Sequence, residues 1–328
     1  MSPVPSLRGR FLWHELLTSD TTAAIDFYTK VVGWKTETWA GMPEYRMWVS
    51  SRGPVGGVMT LPEEARQMGS PPTWLAHIGS PNADATADLA VRLGGKVLKP
   101  AVSIPTVGRF VILADPQGAV FSAFTPETPM AMDIEAKAGE FCWHELITTD
   151  TDAGFRFYSQ LFGWEKTDSM DMGPSGIYQM YGWPGCSQGG VYRKPAEMQA
   201  PPSWMHYTEV PDVRKVTPRI KELGGMVIMG PHQIPGGGWI VIATDPQGAA
   251  FALHQAPPKQ AGGREGGKAG SSAAKKPARK KAVAKKAARK TVRKPARKAA
   301  PKKKAAKKAA ARKPAKKAAR KKGAKKRR

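Results

Sequence analysis

The sequence predicts an α+β fold in which two tandem copies of one domain form a body, followed by a basic tail that has no core. Three observations support this prediction. A 25-residue segment recurs at an offset of 130 residues, and each copy alternates between strand-like and helix-like stretches. All ten Trp, seven Tyr and ten Phe residues lie before residue 259, whereas most of the positive charge lies after it. The average composition of the 328 residues therefore describes neither part.

The internal repeat defines the two copies. Residues 11–35 read FLWHELLTSDTTAAIDFYTKVVGWK, residues 141–165 read FCWHELITTDTDAGFRFYSQLFGWE, and 13 of the 25 positions are identical. Three shorter motifs return at the same offset: PPTW or PPSW, LGG, and DPQG. A fixed internal period of this kind indicates a duplication. We expect the first domain at residues 1–128 and the second at residues 138–256.

The first half of each copy is predicted to be a strand followed by a helix. Residues 11–17 are rich in aromatic residues and alternate in character, which indicates a strand. Thr18 or Asp20 can cap the helix that follows, and Gly33 is expected to end it, as Gly163 does in the second copy. The apolar residues of this helix fall on one stripe, which consists of Ala24, Phe27, Tyr28 and Val31.

The second half of each copy repeats the pattern after a variable stretch of strands. A strand begins at Trp74, a helix ends at the LGG motif of residues 93–95, and a β-hairpin occupies about residues 109–124. The DPQG turn lies inside this hairpin. Each copy thus contains two strand–helix–strands units, which gives four units in the body.

These motifs resemble those of the vicinal-oxygen-chelate (VOC) superfamily, the glyoxalase, bleomycin-resistance and extradiol-dioxygenase group. The matching signature runs from Asp20 to Trp34 and from Asp150 to Trp164, and continues with LGG and DPQG in both copies. The resemblance implies paired βαβββ modules whose sheets curl around a cup, with the helices outside. In metal-using members, the cup holds a divalent ion bound by His and Glu side chains of the inner strands.

The resemblance also implies metal ligands that this chain has changed. A Glu ligand would lie four residues after the Gly of the DPQG motif, where this chain has Ser122 and Ala252. A neutral hydroxyl and a methyl group cannot replace an anionic oxygen ligand. We therefore expect no cofactor, and we expect a divalent ion such as Zn, Mn, Ni or Fe only if the protein is an enzyme.

The first-strand His ligand of the superfamily has two counterparts here. It corresponds to His14 and His144 or, when the alignment is anchored on the helix start, to the residues one position earlier, Trp13 and Trp143. A shift of one residue moves a strand side chain to the other face of the sheet, and the sequence leaves both registers open. His14 and His144 are the candidate metal ligands.

Three residues are candidates for catalysis. Strand alternation divides the first strand into two faces, one with Phe11, Trp13 and Glu15 and the other with Leu12, His14 and Leu16. The second set resembles a helix-packing face, so Glu15 and Glu145 are predicted to face the cup. His254 lies two residues past the missing Glu position on the same strand face. The alternative is a structural role, in which a neighbour satisfies His14 and Glu15 is a paired carboxylate.

A separate set of side chains is predicted to bind a small-molecule ligand. His77 and Tyr207 occupy the same position in the two copies, with His206 adjacent to Tyr207. Tryptophans can line an apolar pocket, although most of those in the body are expected to fill the core. The candidate ligand-binding residues are Trp13, Trp143, His77, Tyr207 and Ser122.

Other familiar signatures are missing from the sequence. The pairs Gly56-Gly57 and Gly189-Gly190 are not followed by the Lys-Ser/Thr of a phosphate loop, so we expect them at strand bulges or turns. Two cysteines, Cys142 and Cys186, cannot form a disulfide framework or a site of cysteines alone. No Ser-His-Asp or Cys-His arrangement is visible from spacing.

The C-terminal segment has a composition of its own. Residues 259–328 hold 32 of the 52 Lys and Arg residues and one acidic residue, a net charge of +31, while residues 1–258 carry −5. Without aromatic residues, this segment cannot bury enough surface to offset its ordering entropy. We expect a flexible linker at residues 257–272 and a disordered tail at residues 273–328. The tail resembles the tails of linker histones and bacterial histone-like proteins, because short basic pairs alternate with Ala and Pro.

The expected partner of the tail is DNA. A polycation on a nucleic-acid backbone releases condensed counterions, and the tail offers nothing that reads bases, so binding should be independent of sequence. DNA is favoured over RNA only by the histone resemblance, and anionic membrane surfaces or polyphosphate are the alternatives. The residues expected to contact phosphates are Lys275, Lys276, Arg279, Lys280, Lys281, Lys285, Lys286, Arg289, Lys290, Arg293, Lys294, Arg297, Lys298, Lys302, Lys303, Lys304, Lys307, Lys308, Arg312, Lys313, Lys316, Lys317, Arg320, Lys321, Lys322, Lys325, Lys326, Arg327 and Arg328.

The sequence as a whole favours one of two functions. The first is a VOC protein that binds a small molecule in its cups, without the usual metal site, and associates with DNA through the tail. The alternative is a metal-dependent VOC enzyme, of lyase, isomerase or dioxygenase type, tethered to the nucleoid. No stretch is apolar enough for a membrane span or an N-terminal signal. We therefore expect a cytoplasmic, nucleoid-associated monomer or homodimer.

Overall fold

The computed structural model describes residues 7–128 and 135–258. The predicted tail with all of its basic residues, and the predicted linker apart from residues 257 and 258, lie outside the described residues. Within residues 7–128 and 135–258, no helix is long and apolar enough to cross a membrane.

The first copy forms an eight-stranded sheet. Its order in space is β2-β3-β4-β1-β5-β8-β7-β6, so the first strands of the two predicted units, β1 and β5, lie side by side at the centre and run antiparallel. The strands are β1 Phe11–Thr18, β2 Lys35–Trp39, β3 Met42–Ser50, β4 Gly53–Thr60, β5 Thr73–Gly79, β6 Lys96–Ile104, β7 Gly108–Ala114 and β8 Val120–Pro126.

The second copy repeats this topology. Its order is β10-β11-β12-β9-β13-β16-β15-β14, with β9 and β13 at the centre. The strands are β9 Phe141–Thr148, β10 Glu165–Asp171, β11 Ile177–Trp183, β12 Cys186–Arg193, β13 Ser203–Glu209, β14 Met226–Gln233, β15 Trp239–Thr244 and β16 Ala250–Gln255. The prediction of an α+β body with two tandem copies is confirmed.

Helices follow the first strand of each unit, as the sequence predicts. Asp20 caps the first of them, since its side-chain oxygen accepts a hydrogen bond from the N–H of Ala23 at 2.9 Å. Gly163 ends α4 in the left-handed conformation, with φ of 74°. The α-helices of the described residues are α1 Thr21–Val31, α2 Glu63–Gln67, α3 Ala83–Arg92, α4 Thr151–Phe162 and α5 Val213–Glu222.

The two copies share two of the hydrophobic cores of the described residues. In one core, the stripe of α1 and the buried tryptophans of the first copy pack on α5, β15 and β16 of the second copy, through Phe27, Trp48, Trp74, Ile220, Val241 and Phe251. In the other, α3, β7 and β8 of the first copy pack on α4 and its neighbours, through Leu113, Phe121, Phe157, Tyr158, Trp164 and Trp204. Neither copy encloses either core alone.

The repeated motifs make the hydrogen bonds that join the copies. Tyr158, from the FY motif of the second copy, donates to Asp115 of the first-copy DPQG turn at 3.2 Å and accepts from Trp204 Nε1 at 3.0 Å. The Asp115 carboxylate also accepts backbone N–H groups of its own turn. Tyr28 and Asp245 repeat the contact in the opposite direction, again at 3.2 Å. The signature therefore marks the junction between the copies.

Strands β1 and β9 pack back to back through stacked rings. Phe11 stacks on His144 and Phe141 stacks on His14, each with ring centroids 3.7 Å apart. The expectation that Phe11 shares a face with Trp13 is wrong, because the register of β1 against β5 shifts between these two residues. Such an irregularity inserts an extra residue and turns the following side chains over.

The hydrogen bonds of the Tyr158 hydroxyl at this junction predict the effect of removing that hydroxyl. Tyr158→Phe should lower the free energy of unfolding by about 1–3 kcal/mol, since Asp115 and Trp204 would each lose a buried hydrogen-bond partner. Urea unfolding of the full chain measures this change. Tyr192→Phe is the matched control, because the Tyr192 hydroxyl has no hydrogen-bond partner among the described residues. Equal stability of the two variants would contradict the structural role of the FY motif.

Candidate functional site

A cavity of about 1290 Å³ lies against the second sheet and extends to β1 and β4 of the first copy. We call it the second cup, and its walls combine aromatic and aliphatic side chains with polar groups, among them the buried carboxylate of Glu145. Trp143 and Glu145 share one face of β9, where both contact Tyr178 through hydrogen bonds, while the ring of His144 between them stacks on Phe11 of the first copy. The side chains central to the chemistry of the second cup are Trp143, Glu145, Tyr178, Tyr192, Tyr207 and His254.

Glu145 is held by a network of hydrogen bonds. Its Oε1 accepts from the Tyr178 hydroxyl at 2.7 Å, and its Oε2 accepts from the Tyr207 hydroxyl at 2.8 Å. Trp143 Nε1 in turn donates to the Tyr178 oxygen at 2.7 Å. Each carboxylate oxygen keeps a lone pair for a further donor. The network therefore fixes a strong acceptor at the wall of the second cup.

A glycine makes room for the tyrosine that holds Glu145. A Cβ at Gly190 would clash with the Tyr178 ring, and a Cβ at Gly57 would clash with the Tyr45 hydroxyl of the first copy. Gly190 pairs with Glu145 in a regular parallel register inside β12. The expected bulge lies next to Gly189, where the register of β12 against β11 shifts, and the second glycine of the pair permits a close approach between side chain and backbone.

Burial controls the protonation of this network. Burial raises the pKa of Glu145 above its ordinary value, and the hydrogen bonds from Tyr178 and Tyr207 oppose the shift. Burial and the nearby Glu145 charge raise the pKa of both tyrosines, so the hydroxyls stay protonated and act as donors. A buried carboxyl with a raised pKa can both accept and return a proton, which is the property of a general acid or base.

The first copy contains a related but incomplete network. Trp13 Nε1 donates to the Tyr45 hydroxyl at 2.9 Å, and burial, with Glu15 beside it, raises the pKa of Tyr45. His77 replaces Tyr207, and its Nε2 lies 3.6 Å from Glu15 Oε2. Ser122 Oγ, fully buried, has no hydrogen-bond partner in the described residues.

Bulky rings occupy the first copy where the second has smaller groups. Phe110 and Phe124 pack around His77, with centroids 5.7 and 6.1 Å from its ring. The strand pairing gives their counterparts in the second copy as Ile240 and His254. The wall next to β15 and β16 is therefore less crowded in the second cup.

The metal position of the superfamily can be located by strand register. Trp143 pairs with Tyr207 and Tyr207 pairs with Ala252, so these three residues form one row across the cup face of the second sheet. An indole and a methyl group offer no ligand for a divalent ion, and one phenol cannot hold it. The residues in this row do not fit the metal of the superfamily.

The first sheet has the same row with different residues. Trp13 pairs with His77, and His77 pairs with Ser122. One imidazole and one hydroxyl fall short of the three protein ligands that a catalytic zinc ion takes. The metal position of the first copy therefore does not fit the ion either.

The candidate metal ligands of the sequence lie on the opposite face. His14 and His144 are buried between the sheets, with ring centroids 5.1 Å apart, and His144 Nδ1 is 3.0 Å from His206 Nδ1. Burial lowers the pKa of all three histidines, that of His206 to about 3. Rings of Phe11 and Phe141 stack on two of them, and the ring nitrogens of the three histidines lie within 4.8 Å of one another, close enough to hold a metal ion.

Besides the metal row and the buried histidines, the structure brings together a third group of possible metal ligands, which was not visible as a group in the sequence. His254 Nδ1 lies 2.5 Å from Glu209 Oε2, and Cys142 completes a set of three side chains whose donor atoms are all within 4.8 Å of one another. Comparing the two copies position by position could have revealed it, because the first copy has Leu12, Gly79 and Phe124 at these places.

The sequence and the fold are similar to known proteins. Residues 10–122 and 141–253 each match the family described as Glyoxalase/Bleomycin resistance protein/Dioxygenase superfamily. The chain is 30% identical over 251 residues to "Putative glyoxylase CFP32" of Mycobacterium bovis, covering 76% of this chain and 95% of that protein. It is 26% identical over 282 residues to "Anthracycline biosynthesis protein DauV" of Streptomyces sp. strain C5, covering 78% and 97%.

Solved structures share the fold at low sequence identity. The 2,3-dioxygenase LapB from Pseudomonas sp. KL28 matches with a TM-score of 0.52 at 13% identity, over 77% of this chain and 93% of that one. The Mn(II)-bound glyoxalase from Novosphingobium aromaticivorans matches with a TM-score of 0.51 at 14% identity, over 76% and 82%. With both halves of the body matched, the chain belongs to the Glyoxalase/Bleomycin resistance protein/Dioxygenase superfamily and carries its domain twice.

Proposed function

We propose that the protein binds a small, largely apolar molecule in the second cup through a hydrogen bond to Glu145, and that its tail holds it on DNA. The observation that carries the first part is the buried Glu145 carboxylate, oriented by Tyr178 and Tyr207 at the wall of a cavity of about 1290 Å³. Ligand sites are typically apolar cavities with a few convergent polar groups.

The chemistry of the walls defines the class of ligand. Trp143, Tyr178 and Tyr192 present aromatic surface, and Met180 and Ile240 add aliphatic surface. One polar group of this wall, Glu145, accepts hydrogen bonds when ionised, so it favours a ligand with a hydroxyl or N–H group. A hydroxylated aromatic molecule meets both conditions. The name of one relative, an anthracycline biosynthesis protein, is in line with such a ligand.

Proton transfer by Glu145 is a second candidate function. The raised pKa of this carboxyl and its place at the cavity wall favour a general base that takes a proton from a bound ligand without a metal ion. Another relative carries the name of a glyoxylase. His254 and Glu15 are the other proposed catalytic residues, and of the two only His254 lines the second cup.

The DNA part of the proposal rests on the charge of the sequence. A net charge of +31 in residues 259–328 supports binding to a phosphate backbone, and the −5 of residues 1–258 makes the body a poor competitor for it. The tail would concentrate the ligand-binding body on DNA in the cytoplasm.

The ligand proposal predicts binding of 2-naphthol to the full chain. Isothermal titration should give saturable binding, and Glu145→Gln should weaken it by about tenfold or more, the loss expected for a hydrogen bond to a charged group. Glu15→Gln, the same change in the first copy, should leave the affinity unchanged. Naphthalene, which lacks the hydroxyl, should not distinguish wild type from Glu145→Gln. Equal weakening by the two Gln variants would contradict the assignment.

The same titration has a predicted pH dependence. Burial places the pKa of Glu145 above its ordinary value, so the carboxyl is protonated at low pH and becomes the stronger, charged acceptor only as the pH rises through that raised pKa. The affinity for 2-naphthol should therefore increase with pH in this range, while that for naphthalene stays constant. Parallel pH profiles for the two compounds would contradict a role for the Glu145 carboxylate.

The tail predicts salt-dependent DNA binding. The full chain should bind duplexes of unrelated sequence equally, and log K should fall with log salt by roughly 0.9 per phosphate engaged, or about 9 for ten. A chain ending at residue 258 should not bind, with circular dichroism confirming that its body is folded. Full affinity in the shortened chain would show that the body, rather than the tail, binds DNA.

A further inference from the structure

The second cup contains a group of side chains with the composition of a metal site. Glu209 on β13 pairs directly with His254 on β16, and Cys142 lies on the adjacent strand β9. All three residues line the second cup. Their donor atoms, one sulfur, one carboxylate oxygen and one imidazole nitrogen, lie within 4.8 Å of one another.

We propose that Cys142, Glu209 and His254 bind a divalent transition metal of the zinc class at the wall of the second cup. Thiolate, imidazole and carboxylate are the side chains that zinc uses, and three protein ligands leave a fourth position open. That position would face the cup, where water or a ligand atom can occupy it. The proposal does not depend on ligand binding at Glu145, because Cys142 and Glu209 take no part in that network.

The site would need only a small adjustment to accept the ion. In a tetrahedral site with metal–ligand distances near 2.0–2.1 Å, nitrogen and oxygen ligands lie about 3.3 Å apart, whereas His254 Nδ1 and Glu209 Oε2 are 2.5 Å apart. The backbone N–H of Ala256 holds the other Glu209 oxygen at 2.7 Å. An outer partner of this kind orients a ligating carboxylate.

The proton balance of binding is simple. Cys142 donates its thiol hydrogen toward the carbonyl oxygen of Tyr207 at 3.4 Å. Metal binding replaces this proton, which passes to solvent, while His254 coordinates as a neutral imidazole. One proton is therefore released for each metal ion that binds.

The proposed metal site at Cys142, Glu209 and His254 has no counterpart in the first copy, and it is separate from the metal row of the second. The first copy has Leu12, Gly79 and Phe124 at the three positions, none of which can bind a metal ion. Glu209 and His254 also lie two residues along their strands from Tyr207 and Ala252, whose row is the one that the family resemblance assigns to the ion. Three ligand types appearing together at matched positions favour a shared role over three independent changes.

Cobalt titration of the full chain tests the proposal. Co²⁺ bound to a thiolate gives a charge-transfer absorption that histidines and carboxylates cannot produce, so the buried cluster around His14 does not interfere. Wild type should show this band with one equivalent of Co²⁺, and Zn²⁺ should displace it. Cys142→Ala should abolish the band, whereas Cys186→Ala, which removes the other cysteine lining the second cup, should retain it.

Two further variants separate loss of a ligand from loss of folding. His254→Phe installs the first-copy residue and Glu209→Gln keeps the shape of the side chain. Each should weaken Zn²⁺ binding by at least the ~10–100-fold that follows loss of an outer partner, with the thermal transition of the metal-free chain preserved. Absence of the band in wild type, or its persistence in Cys142→Ala, would overturn the proposal. Failure of 2-naphthol binding would not affect it, because no ligand is present in this titration.

Discussion

The back-to-back contact between β1 and β9 is the constraint on which the rest of the body depends. Phe11 meets His144 and Phe141 meets His14, so equivalent residues of the two copies make reciprocal contacts, as in a two-fold symmetric interface. Once these strands are packed, the helices of each copy close a core with strands of the other. Burial lowers the pKa of both histidines, which favours their neutral form at this position.

This arrangement explains why the two cups could diverge. The back faces must match each other, so the FY and DPQG motifs and the histidines His14 and His144 persist in both copies. The cup faces have no such partner, and a change there alters binding rather than assembly. Tyr207, Ile240 and His254 replace His77, Phe110 and Phe124 on that face. Duplication thus supplies the second copy with a rigid support and leaves its open face free for function.

The sequence predicted the fold well because the repeat and the motifs are local signals. The cap at Asp20, the stripe of α1 and the hairpin around DPQG all follow from residues near one another in the chain. The position of Phe11 was mispredicted because strand alternation assumes a regular register, and a one-residue irregularity in β1 reverses it. The faces of His14 and Glu15 could be settled only by that three-dimensional register.

The candidate sites were harder to predict because they depend on contacts between strands distant in sequence. Tyr178 corresponds to Tyr45 at an offset of 133 rather than 130, so the fixed period of the repeat hides their equivalence. Cys142, Glu209 and His254 meet only through the pairing of β9, β13 and β16. No spacing rule connects residues brought together in this way.

The central claim is that ligand binding resides in the second cup, beside Glu145. A crystal structure of the full chain with 6-bromo-2-naphthol tests it directly, because the anomalous signal of bromine locates the ligand independently of any model of the protein. The account predicts one bromine position in the second cup, with the ligand hydroxyl within hydrogen-bonding distance of Glu145. A bromine position beside Glu15 in the first copy, or on the outer surface alone, would contradict it.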